Sequence, residues 1–186
     1  MRVIGGDLKG KRIQHLKSST TRPLRDFVKE SIFNIIFHSK LINTKISHSN
    51  ILDLYSGVGS FGIECISHQA SKVTFIENDP TALKVLRENL KILKIEKKSF
   101  IFNRNINSFF STKLKNKFDI FFLDPPFTSN DYLENLIKIK DLKLYNKNNL
   151  IILHREVKKE EDFKKIFNIT IVKKYGRSKI IFGHFN

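Results

Sequence analysis

The run Asp53-Leu54-Tyr55-Ser56-Gly57-Val58-Gly59-Ser60-Phe61-Gly62 follows the apolar residues Ile51 and Leu52 and opens a stretch with helical spacing. Glycines at 57, 59 and 62 match a strand-to-helix loop in which one permits a tight turn, one lets backbone approach a ligand, and one allows close helix–strand packing. Glu77, 20 residues past Gly57, closes the next apolar run and places an acid at the end of a second strand. A strand, a glycine loop, a helix and an acid-tipped strand form a βαβ unit, which restricts the chain to architectures built on a parallel sheet.

The same alternation continues along the chain. Apolar runs predict strands near 50–54, 72–76, 99–103, 118–123, 149–154, 167–174 and 179–185, with helices near 60–68, 80–93, 105–112, 130–139 and 159–165. The expected fold is α/β: a mostly parallel seven-stranded sheet with helices on both faces. No helix fits between the last two strands, so they should form an antiparallel hairpin around Tyr175-Gly176-Arg177. Before the sheet, residues 1–16 read as a β-hairpin with a glycine-rich tip, Gly5-Gly6-Asp7-Leu8-Lys9-Gly10. Pro23 suits the first turn of a helix over Leu24 to Ser39, where Val28, Ile32, Ile35 and Ile36 share a face. The expected organisation is a basic hairpin extension over 1–22 and one domain over 23–186, a length sufficient for a core of its own.

The glycine loop suits a nucleotide-type ligand, because a helix N-terminus favours negative charge and Glu77 is placed to accept from ribose hydroxyls. A nicotinamide dinucleotide and S-adenosylmethionine (SAM) both fit this pattern. Asp53 separates them: a carboxylate at the end of the first strand opposes a pyrophosphate but hydrogen-bonds an ammonium group, which SAM carries.

A second constellation lies at the end of the fourth strand, where Phe118-Asp119-Ile120-Phe121-Phe122-Leu123 runs into Asp124-Pro125-Pro126-Phe127. The prolines lack N–H groups and hold φ near about −65°, so the chain leaves the sheet as a stiff turn rich in acceptors. Acceptors beside an aromatic ring suit a planar amino group, which donates two hydrogens and offers a face for stacking. The alternative is a turn that only terminates a strand.

The net charge is +16, from 34 basic and 18 acidic residues, which favours a polyanionic partner, with nucleic acid first. No apolar run approaches the length of a membrane span, and Met1-Arg2-Val3-Ile4-Gly5-Gly6 lacks a signal-peptide apolar region, so a cytoplasmic protein is expected. Cys65 is the single cysteine and reads as small core filler, while the six histidines show no metal-ligand spacing, so no metal is expected.

Asp53 to Gly62, Glu77 and Asp124 to Phe127 together resemble class I SAM-dependent amino-methyltransferases. Met1 to Gly6, Lys9-Gly10-Lys11, Thr21-Arg22-Pro23, Val28-Lys29-Glu30, Phe33-Asn34-Ile35 and Tyr175-Gly176 are similar, more narrowly, to the bacterial RsmD-like enzymes. That resemblance implies the Rossmann-like class I methyltransferase fold, SAM as cofactor, and methylation of a guanine N2 amino group in small-subunit (16S) rRNA, free or in the assembled 30S particle, by a monomer. The implied cofactor residues are Asp53, Tyr55, Gly57, Gly59, Gly62, Glu77, Asn78, Asn105 and Ile106, and the implied catalytic residues are Asp124, Pro125, Pro126 and Phe127. Arg2, Lys9, Lys11, Arg12, Arg22 and Arg25 are the implied RNA contacts. Asn105 stands where the family usually has an Asp for the adenine amino group, Phe27 where an Arg is usual, and Arg177 where an Asp is usual. The rival readings are an adenine-N6 methyltransferase, which would use the same Asp124 turn, a nicotinamide-dependent oxidoreductase, and a non-enzymatic RNA-binding module.

Overall fold

The computed structural model describes residues 1–16, 26–112, 116–158, 162–163 and 165–186. Arg22 and Arg25, the start of the helix expected from Leu24, and most of the stretch expected to be helical over 159–165 lie outside the described residues. Near that last stretch the Phe163 carbonyl accepts from the N–H groups of Ile166 and Phe167, closing a single turn.

Seven strands, β1 (Asn50–Leu54), β2 (Lys72–Ile76), β3 (Ser99–Phe102), β4 (Phe118–Leu123), β5 (Tyr145–Glu156), β6 (Asn168–Tyr175) and β7 (Ser178–His184), form one sheet in the order β3-β2-β1-β4-β5-β7-β6. β1 to β5 pair in parallel, and β7 runs antiparallel to both β5 and β6. Helices α1 (Asp26–His38), α2 (Ser60–Ser67), α3 (Pro80–Ile92), α4 (Ile106–Phe110) and α5 (Asp131–Asp141) cover its two faces. Strand periodicity divides the core accordingly. Ile120 and Phe122 join Ile51 and Phe75 under α1, α2 and α3, whereas Phe121 and Leu123 join Leu52 and Leu54 under α4 and α5. Phe61 of α2 stacks on Phe122 of β4 with centroids 4.0 Å apart.

β5 begins four residues earlier than the expected 149, because the polar Tyr145-Asn146-Lys147-Asn148 still pairs with β4 through a register shift between Phe118 and Ile120. The Asp119 carboxylate holds that irregular edge, accepting from Asn146 Nδ2 at 2.7 Å and from the Asn50 N–H at 2.8 Å.

The N-terminal ribbon is narrower than a regular hairpin: one antiparallel bridge, Arg2 to Arg12, and a short 3-10 turn at Gly6–Leu8. It does not protrude. Val3 and Ile13 are buried in the core, and the tip lies against α2, where the Ser67 hydroxyl accepts from the Leu8 N–H at 2.9 Å. Gly6 has φ +69°, and a Cβ there would meet the Ser67 carbonyl oxygen at 2.1 Å, so the close approach requires glycine. Among the described residues no helix is long and apolar enough to cross a membrane.

Candidate functional site

The order of crossovers reverses at β1 and β4, and the carboxyl ends of adjacent strands at such a point are where open α/β sheets bind ligands. A cavity of about 1120 Å³ opens there. Five carboxylate residues line it, three of them at strand ends: Asp53 in β1, Glu77 just past β2 and Asp124 just past β4, with Asp79 and Asp131 beside the helices that follow.

Asp53 is buried, and its Oδ2 accepts from the Gly62 N–H at 3.0 Å while Oδ1 has no hydrogen-bond partner. Burial pushes this carboxyl well above the usual aspartate range; the Gly62 N–H opposes that shift, and the negative charges of Asp124 and Glu77 add to it. A cationic group in the cavity removes this penalty.

Glu77 ties the glycine loop to the end of β2. Its Oε2 accepts from the Gly57 N–H at 2.7 Å, and its Oε1 accepts from the N–H groups of Asn78 and Asp79, both at 2.8 Å. A carboxylate offers about four acceptor positions, so one remains on Oε2 for a hydroxyl. Gly57 has φ +54° with open space where a Cβ would stand, and Asn78 lines the same wall. Gly59 and Gly62 do not line the cavity; Gly59 lets the start of α2 approach α3, and Gly62 brings α2 onto β2. A Cβ on Gly59 would meet Leu86 Cδ1 at 2.4 Å, and one on Gly62 would meet Phe75 Cε1 at 2.3 Å.

Tyr55 takes a left-handed backbone, φ +60°, and its hydroxyl accepts from Asn135 Nδ2 at 2.7 Å, joining the loop to α5. Burial pushes its phenol up to about 12. Asn105 caps α4: its Oδ1 accepts from the Ser108 N–H at 2.8 Å, and Ile106 begins the helix at the cavity wall. The amide oxygen that stands where the family has a carboxylate therefore already holds one hydrogen bond. An Asn three residues before the amide it caps is a helix-start signal that the sequence carries at this place.

Asp124, Pro125, Pro126 and Phe127 all line the cavity. Two residues that sequence reasoning passed over hold this turn, both from the end of β5. His154 Nδ1 lies 2.8 Å from Asp124 Oδ1, and the Phe127 ring meets the imidazole edge to face at 5.5 Å. Arg155 is fully buried and donates to the carbonyls of Pro126, Phe127 and Ser129 at 3.2 to 3.3 Å, with its guanidinium 4.2 Å from the Tyr132 ring centroid. The register pair Leu123–Leu153 explains the juxtaposition, since Asp124 and His154 come next on neighbouring parallel strands.

Of the expected RNA contacts, Arg2, Lys9, Lys11 and Arg12 are exposed on the ribbon and are not part of the cavity lining. Met1, His15, Phe27, Arg104, Tyr175 and Arg177 form part of its rim. Among the described residues no group of three or more His, Cys, Asp or Glu could hold a metal ion.

The residues fit SAM: an unpartnered buried carboxylate oxygen for a cation, an acid with an acceptor position left, and glycine backbone lining the space between them. This sheet order with this site defines a class I SAM-dependent methyltransferase. The family model described as "Conserved hypothetical protein 95" matches residues 1–184, and the chain belongs to that family, the RsmD family. The Haemophilus influenzae ribosomal RNA small subunit methyltransferase D is 37% identical over 132 residues, spanning 70% of this chain and 65% of that protein. The protein of the same name from Buchnera aphidicola subsp. Baizongia pistaciae is 32% identical over 185 residues, spanning 97% and 88%. The structure of Escherichia coli yhhF, described as a methyltransferase, superposes with TM-score 0.84 at 26% identity, covering 100% of this chain and 98% of that one.

Proposed function

We propose that the protein transfers a methyl group from SAM to the exocyclic N2 of one guanine in small-subunit rRNA, in the cytoplasm, as a monomer acting on the free RNA or on the assembled 30S particle. The observation that carries this reading is the placement of the Asp124-Pro125-Pro126-Phe127 turn and the SAM-suited carboxylates Asp53 and Glu77 around one cavity, in a chain of the RsmD family.

Bound SAM supplies a methyl group on a sulfonium, which leaves as a neutral thioether as the S–CH₃ bond breaks and the N–CH₃ bond forms. The chain's residues hold the reactants in line. Asp53 Oδ1 accepts from the ammonium of the cofactor, and Glu77 accepts from its ribose. The guanine, extruded from the RNA, stacks on Phe127 and donates its amino hydrogens to Asp124 and the Pro125 carbonyl. As the nitrogen becomes positive, the Asp124 carboxylate stabilises it more than it stabilises the neutral amine, and then takes the proton. The exposed Arg2, Lys9, Lys11 and Arg12, with Arg22 and Arg25, contact RNA phosphates.

The test is transfer of labelled methyl from SAM to total RNA, to small-subunit particles from cells lacking the enzyme, and to duplex DNA, followed by nucleoside analysis. N2-methylguanosine from RNA or particles is the expected product, and N6-methyladenine in any substrate overturns the acceptor assignment. Asp124→Ala should lower turnover by about 10²- to 10³-fold with SAM affinity retained. A near-normal rate would remove Asp124 from this role.

A further inference from the structure

Asp124 reaches the cavity with one carboxylate oxygen already engaged. His154 Nδ1 lies 2.8 Å from its Oδ1, while Oδ2 and the Pro125 carbonyl accept no hydrogen bond among the described residues. The Asp124 side chain keeps 22% of its surface exposed. On the far side of the imidazole, Nε2 is buried and has no hydrogen-bond partner among the described residues. Either neutral tautomer leaves Nε2 unpaired, so the other nitrogen decides between them. A bare Nδ1 would set its lone pair against an ionised carboxylate, whereas Nδ1–H donates to it, so the ring's hydrogen belongs on Nδ1. The next residue of β5, Arg155, donates to the carbonyls of Pro126, Phe127 and Ser129. Two successive residues of one strand thus occupy acceptors of the turn and leave Oδ2 and the Pro125 carbonyl open.

We propose that His154 is the positioning residue of Asp124: by donating from Nδ1 to Oδ1 it fixes the plane of the carboxylate and aims Oδ2 at the amino group to be methylated. This rests on the assignment of Asp124 as an acceptor of the amine and adds what orients it. The last torsion of an aspartate is broad and roughly two-fold, so a carboxylate held by nothing else offers its oxygens over a range of directions. One hydrogen bond from a fixed donor removes that freedom and leaves Oδ2 and the Pro125 carbonyl for the two amino hydrogens. The donor is itself fixed. The register pair Leu123–Leu153 sets the two residues side by side, and the Phe127 ring packs on the imidazole edge to face at 5.5 Å. His154 acts through Asp124 alone, and its enclosed Nε2 gives the ring no outlet for a second proton. The proton lost by the amine as the N–CH₃ bond forms therefore goes to Oδ2 and leaves by the cavity to water.

The experiment measures kcat and KM for methyl transfer to RNA in the full chain carrying His154→Leu, His154→Asn or His154→Gln, alone and combined with Asp124→Ala. His154→Leu should lower kcat by about 10- to 100-fold, with KM for RNA and calorimetric SAM affinity within about twofold of wild type. His154→Asn places an amide N–H near the position of Nδ1 and should return kcat to within about fivefold of wild type. His154→Gln carries its amide one methylene farther out, near the position of Nε2, and should stay close to His154→Leu. Added to Asp124→Ala, His154→Leu should cost less than about twofold more, because no carboxylate remains to be aimed. Long-range ¹⁵N–¹H correlation spectra of wild-type protein should show a protonated Nδ1 and a bare Nε2. If His154→Leu does not fold, the difference between His154→Asn and His154→Gln and the spectra decide. Equal rates in those two variants, losses that multiply in the double variant, or an Nε2–H tautomer overturns the inference. A near-normal rate in Asp124→Ala alone overturns the assignment of Asp124 instead.

Discussion

Lys29 Nζ of α1 lies 3.0 Å from Glu64 Oε2 of α2, and both side chains are buried. Glu64 also accepts from the N–H groups of Ile4 and Gly5 at 2.7 to 3.0 Å, and Lys29 donates to the Arg2 carbonyl at 2.9 Å. One ion pair thus joins the N-terminal ribbon to two helices of the main core. Removing one member leaves the other charged and buried, so Glu64→Gln should destabilise the protein by about 3–5 kcal/mol. The double variant Glu64→Gln/Lys29→Met should recover a large part of that loss, as measured by urea unfolding. A single variant within about 1 kcal/mol of wild type would show that the pair carries little of the ribbon's attachment.

Asp53 makes the stability of the ligand-free protein depend on pH. Its folded-state carboxyl is raised above the ordinary aspartate value, chiefly by burial, so between the two values the folded state binds more protons than the unfolded one. Stability therefore falls as pH rises from the ordinary aspartate range through the raised value. Asp53→Asn should remove that slope and be more stable than wild type at neutral pH in melts without SAM. The ammonium of SAM favours the ionised carboxylate, so affinity for SAM should rise with pH through the same window in wild type and stay flat in the variant. A melting curve for wild type that runs parallel to Asp53→Asn across this range would contradict the burial of an uncompensated carboxylate.

What the sequence made legible was chemistry confined to short stretches. Asp53 to Gly62, Glu77 and Asp124 to Phe127 each sit where a strand ends, and hydrophobic period places strand ends well, so the convergence of their side chains on one cavity follows from a parallel sheet. His154, Arg155, Lys29 and Glu64 act across 26 to 60 residues of chain, and their partners depend on register and helix docking that no local pattern encodes. The ribbon shows the difference within one element: its glycines and basic residues marked a turn, but only packing against Ser67 and Glu64 shows that the turn lies flat on α2.

Glu77 holds three backbone N–H groups, those of Gly57, Asn78 and Asp79, besides facing the cavity. Glu77→Ala should weaken SAM binding by more than the loss of one ribose hydrogen bond, about 10- to 100-fold, because the glycine loop loses its tie to β2. Glu77→Gln should fall between: its carbonyl can keep the Gly57 N–H, but its amide group confronts the donors of Asn78 and Asp79. Calorimetric titration with SAM measures both, and unchanged affinity in Glu77→Ala would contradict the ribose assignment.

The ribbon's exposed cations test the RNA surface separately from the chemistry. Lys9, Lys11 and Arg12 are exposed and outside the cavity lining, so neutralising them to Gln should leave SAM affinity unchanged. For every RNA phosphate that no longer meets a cation, the slope of log affinity against log salt should fall by about 0.7 to 0.9, and KM for RNA should rise with kcat retained. The backbone of the ribbon is held by Glu64 and Ser67 rather than by these side chains, so the substitutions remove charge without releasing the element. An unaltered salt slope with unchanged KM would return the three residues to solvated surface and shift the RNA path to the rim residues Arg104 and Arg177.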